Sequence, residues 1–416
     1  MESVQQLGTE IEALWLEQNY NEEAFPSIAK EALQKAGLPS KLSVWDVVEW
    51  ALKQHELPRQ RDLHGRFADP PITIFSGLRF HIDVYFWFES TTSVHQHAFC
   101  GAFQVLHGSS IHSWYEFDIY EKINKFAQIG EMKLKVCELL EVGNVQEIWG
   151  GPQYIHSLFH LEQPSATIVV RTDRSPLHLP QLNYYKPSFA ADPFFEQDTD
   201  VKKLQVLSAS VRANHPDAHR LIEELLEKND LQTSFNILTQ VRRLLRSNQF
   251  SQLFKLDGPN EKFEIFLAVV AKRHGRAGES LKAVFQHIDK LDEIMALRNY
   301  VSNAEHRFFM ALLLNIDDQN HIFSLIKQRF PDADPIEKVL DWVFDLAETR
   351  VVGFETANAL GIPDFGETEM FVLEHLLYGK SDEDVKTAFG ADNAKAEISE
   401  NIAKVRNAVI FRPLLS

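Results

Sequence analysis

A short stretch beginning at Phe80 constrains most of what this chain can become. Phe80, Ile82, Val84, Phe86 and Phe88 alternate with His81, Asp83, Tyr85 and Trp87. Successive side chains of an extended strand point to opposite faces, so the stretch predicts a strand with one wholly apolar face and one carrying polar groups. A helix of 3.6 residues per turn would scatter both sets around its axis. Such a strand needs partners. Candidates are His97 to Leu106, Ile111 to Phe117, Tyr154 to Leu161 and Ser165 to Arg171, separated by turns at Gly108-Ser-Ser110 and Gln163-Pro164. Several short strands at this spacing predict an antiparallel sandwich or barrel over residues 71–190. Glu121 to Ile129 reads equally as a short helix or as a linker between strands.

On both sides the period changes. Residues 1–70 carry apolar residues three and four apart at Ile11 to Trp15, Ala29 to Leu33 and Val44 to Leu52. Ser43 and Asp46 are spaced as a capping box, and Asp69-Pro70-Pro71 forbids further helix. Residues 200–416 are helical again. Leu231, Phe235, Leu238, Val241 and Leu245 form one stripe, Phe263, Phe266, Leu267 and Val270 another. Asp334-Pro335 with Glu337, and Ser381 with Asp384, mark helix starts. No fixed repeat period is present, which leaves an all-α domain of about ten helices joined through residues 187–200. The chain is therefore α+β in three parts: an N-terminal helical segment, a β region and a large C-terminal helical domain.

Charge and cysteine content remove several function classes. A formal charge of −17 repels phosphate backbones and anionic lipid, so nucleic acid and membranes are not expected partners. The run Val241-Arg-Arg-Leu-Leu-Arg246 is spaced as a solvated helix face. Two cysteines, Cys100 and Cys137, rule out a disulfide scaffold or a cysteine-rich zinc module. The acidic first dozen residues lack a signal-peptide pattern, and a cytoplasmic location is expected.

His95-Gln-His97 places two imidazoles on one face of a strand, close enough to share a metal ion. With 17 histidines, chance placement gives roughly 0.7 such pairs, so the pair alone decides nothing. Its setting is more specific. From His95 the chain runs through Phe103, Val105 and Leu106 to Gly108, eleven residues after His97. This resembles the first motif of the cupin superfamily. Gly143-Asn-Val-Gln-Glu-Ile-Trp-Gly-Gly-Pro152-Gln-Tyr-Ile-His156 resembles the second, with altered spacing. Cupins usually carry a glutamate ligand four residues after the second histidine, where this chain has Gly101. A three-histidine site without glutamate resembles the thiol dioxygenase branch. Two features of that branch are missing: its Ser-His-Tyr relay, and a cross-linking cysteine, which would fall near Gly101, one residue from Cys100.

The resemblance, over residues 1–180, implies a cupin-type barrel with His95, His97 and His156 around Fe(II), and dioxygenation of a small molecule by O2. Zinc or nickel would instead imply a hydrolase, lyase or isomerase. A non-catalytic ligand-binding cupin is the third reading, and assembly into a homo-oligomer is left open. Strand parity adds Tyr154 and His160 on the face of His156, and His81 and Tyr85 on the polar face of their strand, as candidates for proton transfer or ligand orientation. His112 and Trp114 are read as lying on opposite faces of the strand after Gly108, and which of them points inward is undecided. Arg171 is placed either to pair with a substrate carboxylate or to form a rim salt bridge. Cys100 reads as a packed side chain. Glu305-His306 and Glu374-His375 read as structural.

Overall fold

The computed structural model describes every residue except 62, 64–67, 89–91, 196, 247–258, 299, 351–357, 391–394 and 416. Three helices come first: α1 (Glu2–Glu17), α2 (Phe25–Ala36) and α3 (Val44–Lys53). The Ser43–Asp46 capping box opens α3, with the Ser43 hydroxyl accepting from Asp46 N and the Asp46 carboxylate accepting from Ser43 N. Such a cap is worth about 1 kcal/mol.

Among the described residues ten strands follow: β1 (Pro71–Ser76), β2 (Phe80–Trp87), β3 (Gly101–His107), β4 (Ser110–Asn124), β5 (Ala127–Leu140), β6 (Val145–Ile148), β7 (Ile155–His160), β8 (Ser165–Thr172), β9 (Asn183–Tyr185) and β10 (Phe189–Ala191). They form two antiparallel five-stranded sheets. Sheet A has the order β1-β2-β8-β3-β6, and sheet B the order β7-β4-β5-β10-β9. The alternation at residues 80–87 is a strand, and all eight of its residues are buried. Its apolar face does not meet the other sheet. Phe80, Ile82, Val84 and Phe86 pack with Ile11, Trp15, Phe25 and Leu33 of the N-terminal helices. The polar-bearing face looks inward, where Tyr85 and Trp87 join Phe103, Tyr154 and Leu158 from both sheets. Phe88, last in the alternation, lies past the strand end and is exposed.

Eleven helices are described after the sheets: α4 (Asp198–Arg212), α5 (Ala218–Lys228), α6 (Leu231–Arg246), α7 (Pro259–His274), α8 (Arg276–Arg298), α9 (Ala304–Asn315), α10 (Gln319–Arg329), α11 (Pro335–Glu348), α12 (Glu367–Leu377), α13 (Asp382–Phe389) and α14 (Lys395–Asn407). They cover the outer face of sheet B. Ile111, Leu139, Phe159 and Leu161 share a core with α9 to α12, and Ile129 and Phe189 share another with α6 to α8. Two fully buried arginines fasten this junction: Arg298 and Arg307 both donate to the His160 carbonyl, and Arg298 lies 4.1 Å over the Phe159 ring. Among the described residues no helix is long and apolar enough to cross a membrane.

The expected closed barrel is not formed. The two sheets stay separate, and the segment 92–97 runs between them. It is not the start of β3, as the apolar run after His97 suggested; it is hydrogen-bonded along both margins of sheet B. His95 exchanges backbone bonds with His156 on β7, while Tyr184 N donates to Val94 O and Gln96 N to Leu182 O beside β9. On the other side Gly151 N donates to His97 O at the end of β6. The ambiguous piece 121–129 is neither helix nor linker but the tip of the long β4–β5 hairpin. The linker expected from residue 187 includes β10, which completes sheet B.

Candidate metal centre

His95, His97 and His156 converge, as the motif resemblance implies. Their ligand nitrogens all lie within 4.8 Å of one another, and each side chain is buried. The rings of His95 and His97 are edge-to-face at 4.5 Å between centroids, and those of His97 and His156 lie 5.0 Å apart. His97 Nε2 and His156 Nε2 are 2.8 Å apart. Two nitrogens bound to one metal at 2.0–2.1 Å, at right angles, would stand about 3 Å apart.

Two of the rings are held by hydrogen bonds, each by a different device. His95 Nδ1 is 2.7 Å from the Ser93 carbonyl, which can accept only if that nitrogen carries the proton; Nε2 then keeps its lone pair. His156 Nδ1 is 3.2 Å from His112 Nε2, and His112 Nδ1 is 2.9 Å from Glu138 Oε1. With the carboxylate accepting from His112 Nδ1–H, His112 Nε2 accepts from His156 Nδ1–H, and His156 Nε2 is left as a donor to a cation. Tyr154 closes this chain with its hydroxyl 3.1 Å from His112 Nε2. His97 Nε2 faces His156 Nε2, and its Nδ1 is buried with no hydrogen-bond partner among the described residues.

Burial keeps these imidazoles neutral. Desolvation lowers the pKa of His95, partly offset by the Ser93 carbonyl. It drives His97 and His156 well below the ordinary range, with further lowering because protonating either ring would set it against Arg171 or the adjoining imidazoles. Neutral imidazole is the form that binds a metal, so the donor set fits a divalent ion with three nitrogen ligands and open coordination positions. The cluster has no carboxylate. At position 101 none could be placed, because a Cβ there would run into the Val170 carbonyl of the adjacent β8.

A cavity of about 600 Å³ borders the cluster, with His95 and His97 in its wall. Arg171 also lines it. This guanidinium donates to the Tyr85 hydroxyl at 3.2 Å and lies 3.4 Å over the Phe99 ring, and its Nε is buried with no hydrogen-bond partner among the described residues. The rim salt bridge considered for Arg171 is not among the ion pairs of the described residues; Asp173 pairs instead with Arg61 at 3.3 Å. His81 Nε2 and Asp83 Oδ2 stand 3.3 Å apart in the same wall. Burial works to raise the Asp83 pKa, but hydrogen bonds from His81 and Thr73 and the nearby Arg171 outweigh it and leave the group below its ordinary value. Burial pushes the Tyr85 hydroxyl up to about 12.

Of the four residues expected to assist, His81 and Tyr85 line this cavity. Tyr154 does not; it supports His156 from behind through His112. His160 shares the face of His156 but stands four residues along the strand, about 13 Å away. Its ring stacks on Trp87 at 4.5 Å, and its Nδ1 lies 2.8 Å from the Ser165 hydroxyl. It therefore does not join the centre. His112 and Trp114 share one face of β4 rather than lying on opposite faces, as residues two apart must, with ring centroids 6.1 and 5.9 Å from Tyr154. Sequence reasoning missed Glu138, which sits directly opposite His112 in the β4–β5 pairing. Only the hairpin register could have revealed it.

No protein-family model matches this chain, and no curated protein matches it.

Proposed function

We propose that this chain is a metal-dependent oxygenase of the cupin type, in which His95, His97 and His156 hold one iron(II) ion and O2 is used to oxidise a small anionic molecule. One observation carries the reading: three neutral imidazoles, two of them oriented by hydrogen bonds, converge beside a cavity that also holds a guanidinium with no carboxylate partner among the described residues. When bound, a ferrous ion with three neutral ligands supplies open positions for a chelating substrate and O2 side by side.

The chain's own groups do the rest. Arg171, flattened against Phe99, binds the substrate's carboxylate, and the Tyr85 hydroxyl orients that same end. The His81–Asp83 pair holds or moves a proton at His81 Nε2, on the cavity wall. Glu138 and His112 keep His156 in the tautomer that presents Nε2. The cupin assignment rests on the motif resemblance together with this convergence.

The test is metal analysis and reconstitution. Full-length protein reconstituted anaerobically with iron(II) is expected to hold it stoichiometrically. It should then consume O2 on addition of a small carboxylate bearing a thiol, amine or catechol group. Protein that takes up zinc or nickel but gives no oxygen uptake with iron would overturn the oxygenase reading in favour of hydrolysis or isomerisation. Binding of such carboxylates without any turnover would make the cavity a ligand-binding site.

A further inference from the structure

Cys100 follows His97 by three residues, yet it belongs to the other side of sheet A. It packs with the N-terminal helices, and its side chain is 2% exposed. There the thiol meets two other chain segments. Glu22 comes from the loop between α1 and α2, and its carbonyl lies 3.3 Å from Cys100 Sγ. His178 ends the short 3-10 turn Pro176–His178 after β8. The Glu22 carboxylate, the Cys100 thiol and the His178 imidazole place one ligand atom each within 4.8 Å of one another.

We propose that Glu22, Cys100 and His178 form a second divalent-metal site, suited to zinc and separate from the three-histidine centre. The donor chemistry favours it: sulfur, imidazole and carboxylate are the three zinc ligand types, and three protein ligands leave a fourth position for water. Glu22 and His178 already converge on the thiol: Glu22 Oε2 and His178 Nε2 stand 3.2 Å apart as an ion pair, both side chains half-buried. The His178 ring is also fixed in place, since it lies against Gly150 where a Cβ would overlap it.

The alternative use of such a trio, a nucleophilic cysteine, does not fit. Burial pushes the Cys100 thiol up to about 12, and the nearby Glu22 charge acts in the same direction, against a hydrogen bond with Thr172. A reactive thiolate needs a cationic neighbour instead. A divalent ion supplies that charge. Binding forms the sulfur–metal bond, releases the thiol proton to solvent, and balances the two positive charges with thiolate and carboxylate. The ion would fasten the α1–α2 loop and the turn after β8 to the start of β3, clamping the N-terminal helical layer onto sheet A.

Cobalt(II) is the probe that separates this site from the first, because a thiolate ligand adds a strong near-ultraviolet charge-transfer band that imidazoles do not. Full-length protein stripped by a chelator and refilled with cobalt(II) should show this band. It should persist in His156→Ala and vanish in Cys100→Ser and His178→Gln. Absence of the band at saturating cobalt in the unaltered protein overturns the proposal, as does its loss in His156→Ala alone. Zinc protection needs no ligand substitution: in a Cys137→Ser chain, Cys100 should react about ten-fold more slowly with a thiol reagent once zinc is added. An unchanged rate overturns the proposal whatever the variants do.

Discussion

The two ends of β7 carry the same residue in opposite circumstances. His156 and His160 lie on one strand and one face, and both are buried. Around His156 the neighbours are nitrogens: His95 and His97 on one side, His112 on the other. Around His160 they are the Trp87 ring and the Ser165 hydroxyl, with Arg298 and Arg307 gripping its carbonyl. One end gathers lone pairs that attract a cation, whereas the other gathers guanidinium groups that repel one. Burial and residue type are therefore poor guides to a metal ligand; the partners of the second ring nitrogen are better ones.

The comparison is broken most directly by substitution. His156→Ala should abolish stoichiometric metal binding, a loss of about a thousand-fold or more in affinity. His160→Ala should leave binding unchanged while costing about 2–4 kcal/mol of stability through the cavity it leaves beneath Trp87. Titration calorimetry and urea unfolding on both variants decide it; equal metal loss in the two would mean that the ends of β7 are not distinct.

Acid gives a smaller effect and a clear sign. Burial, then the charges of Arg298 and Arg307, bring the His160 pKa down to about 3, whereas the unfolded chain titrates near 6.5. Between those values the unfolded state binds the extra proton, so stability is flat above about pH 7 and falls as pH drops through the window. From pH 7 to pH 4 this residue alone should remove about 3 kcal/mol. His160→Gln should lack that share of the loss, and an unaltered pH slope in its unfolding would contradict the account. The smallest effect concerns support for the other end. Glu138→Gln removes the charge that fixes His112, and metal should bind about ten-fold more weakly, the lower end of the usual range because this carboxylate is partly exposed. Unchanged affinity would reduce the Glu138–His112 contact to a surface hydrogen bond.

What was readable in the sequence followed from local rules. Period two located β2, and parity put His95 beside His97. The spacing between serine or aspartate and the next carboxylate located the starts of α3, α11 and α13. What was not readable depended on register and closure. Glu138 meets His112 only because β4 and β5 pair as a long hairpin with three register shifts, and those shifts leave no trace in composition. The middle of β5 mixes exposed and half-buried positions, so it lacks the clean alternation that marked β2. The barrel was expected from the motif resemblance alone, since short strands at this spacing close as a sandwich or as a barrel. The apolar face of β2 decided between them by turning to the helices of residues 1–53 rather than to the opposite sheet.

The segment 92–97, sewn to both margins of sheet B, also sets a timetable. His97 must wait for a partner 59 residues downstream, and Gln96 for one 88 residues downstream. Contacts of such long sequence separation close late and slowly. A ribosome translating this message would therefore release two histidines long before anything exists to hold them. The binding pocket would be assembled only after β9 has emerged, so a chain cut short before that strand should hold its imidazoles but no ion.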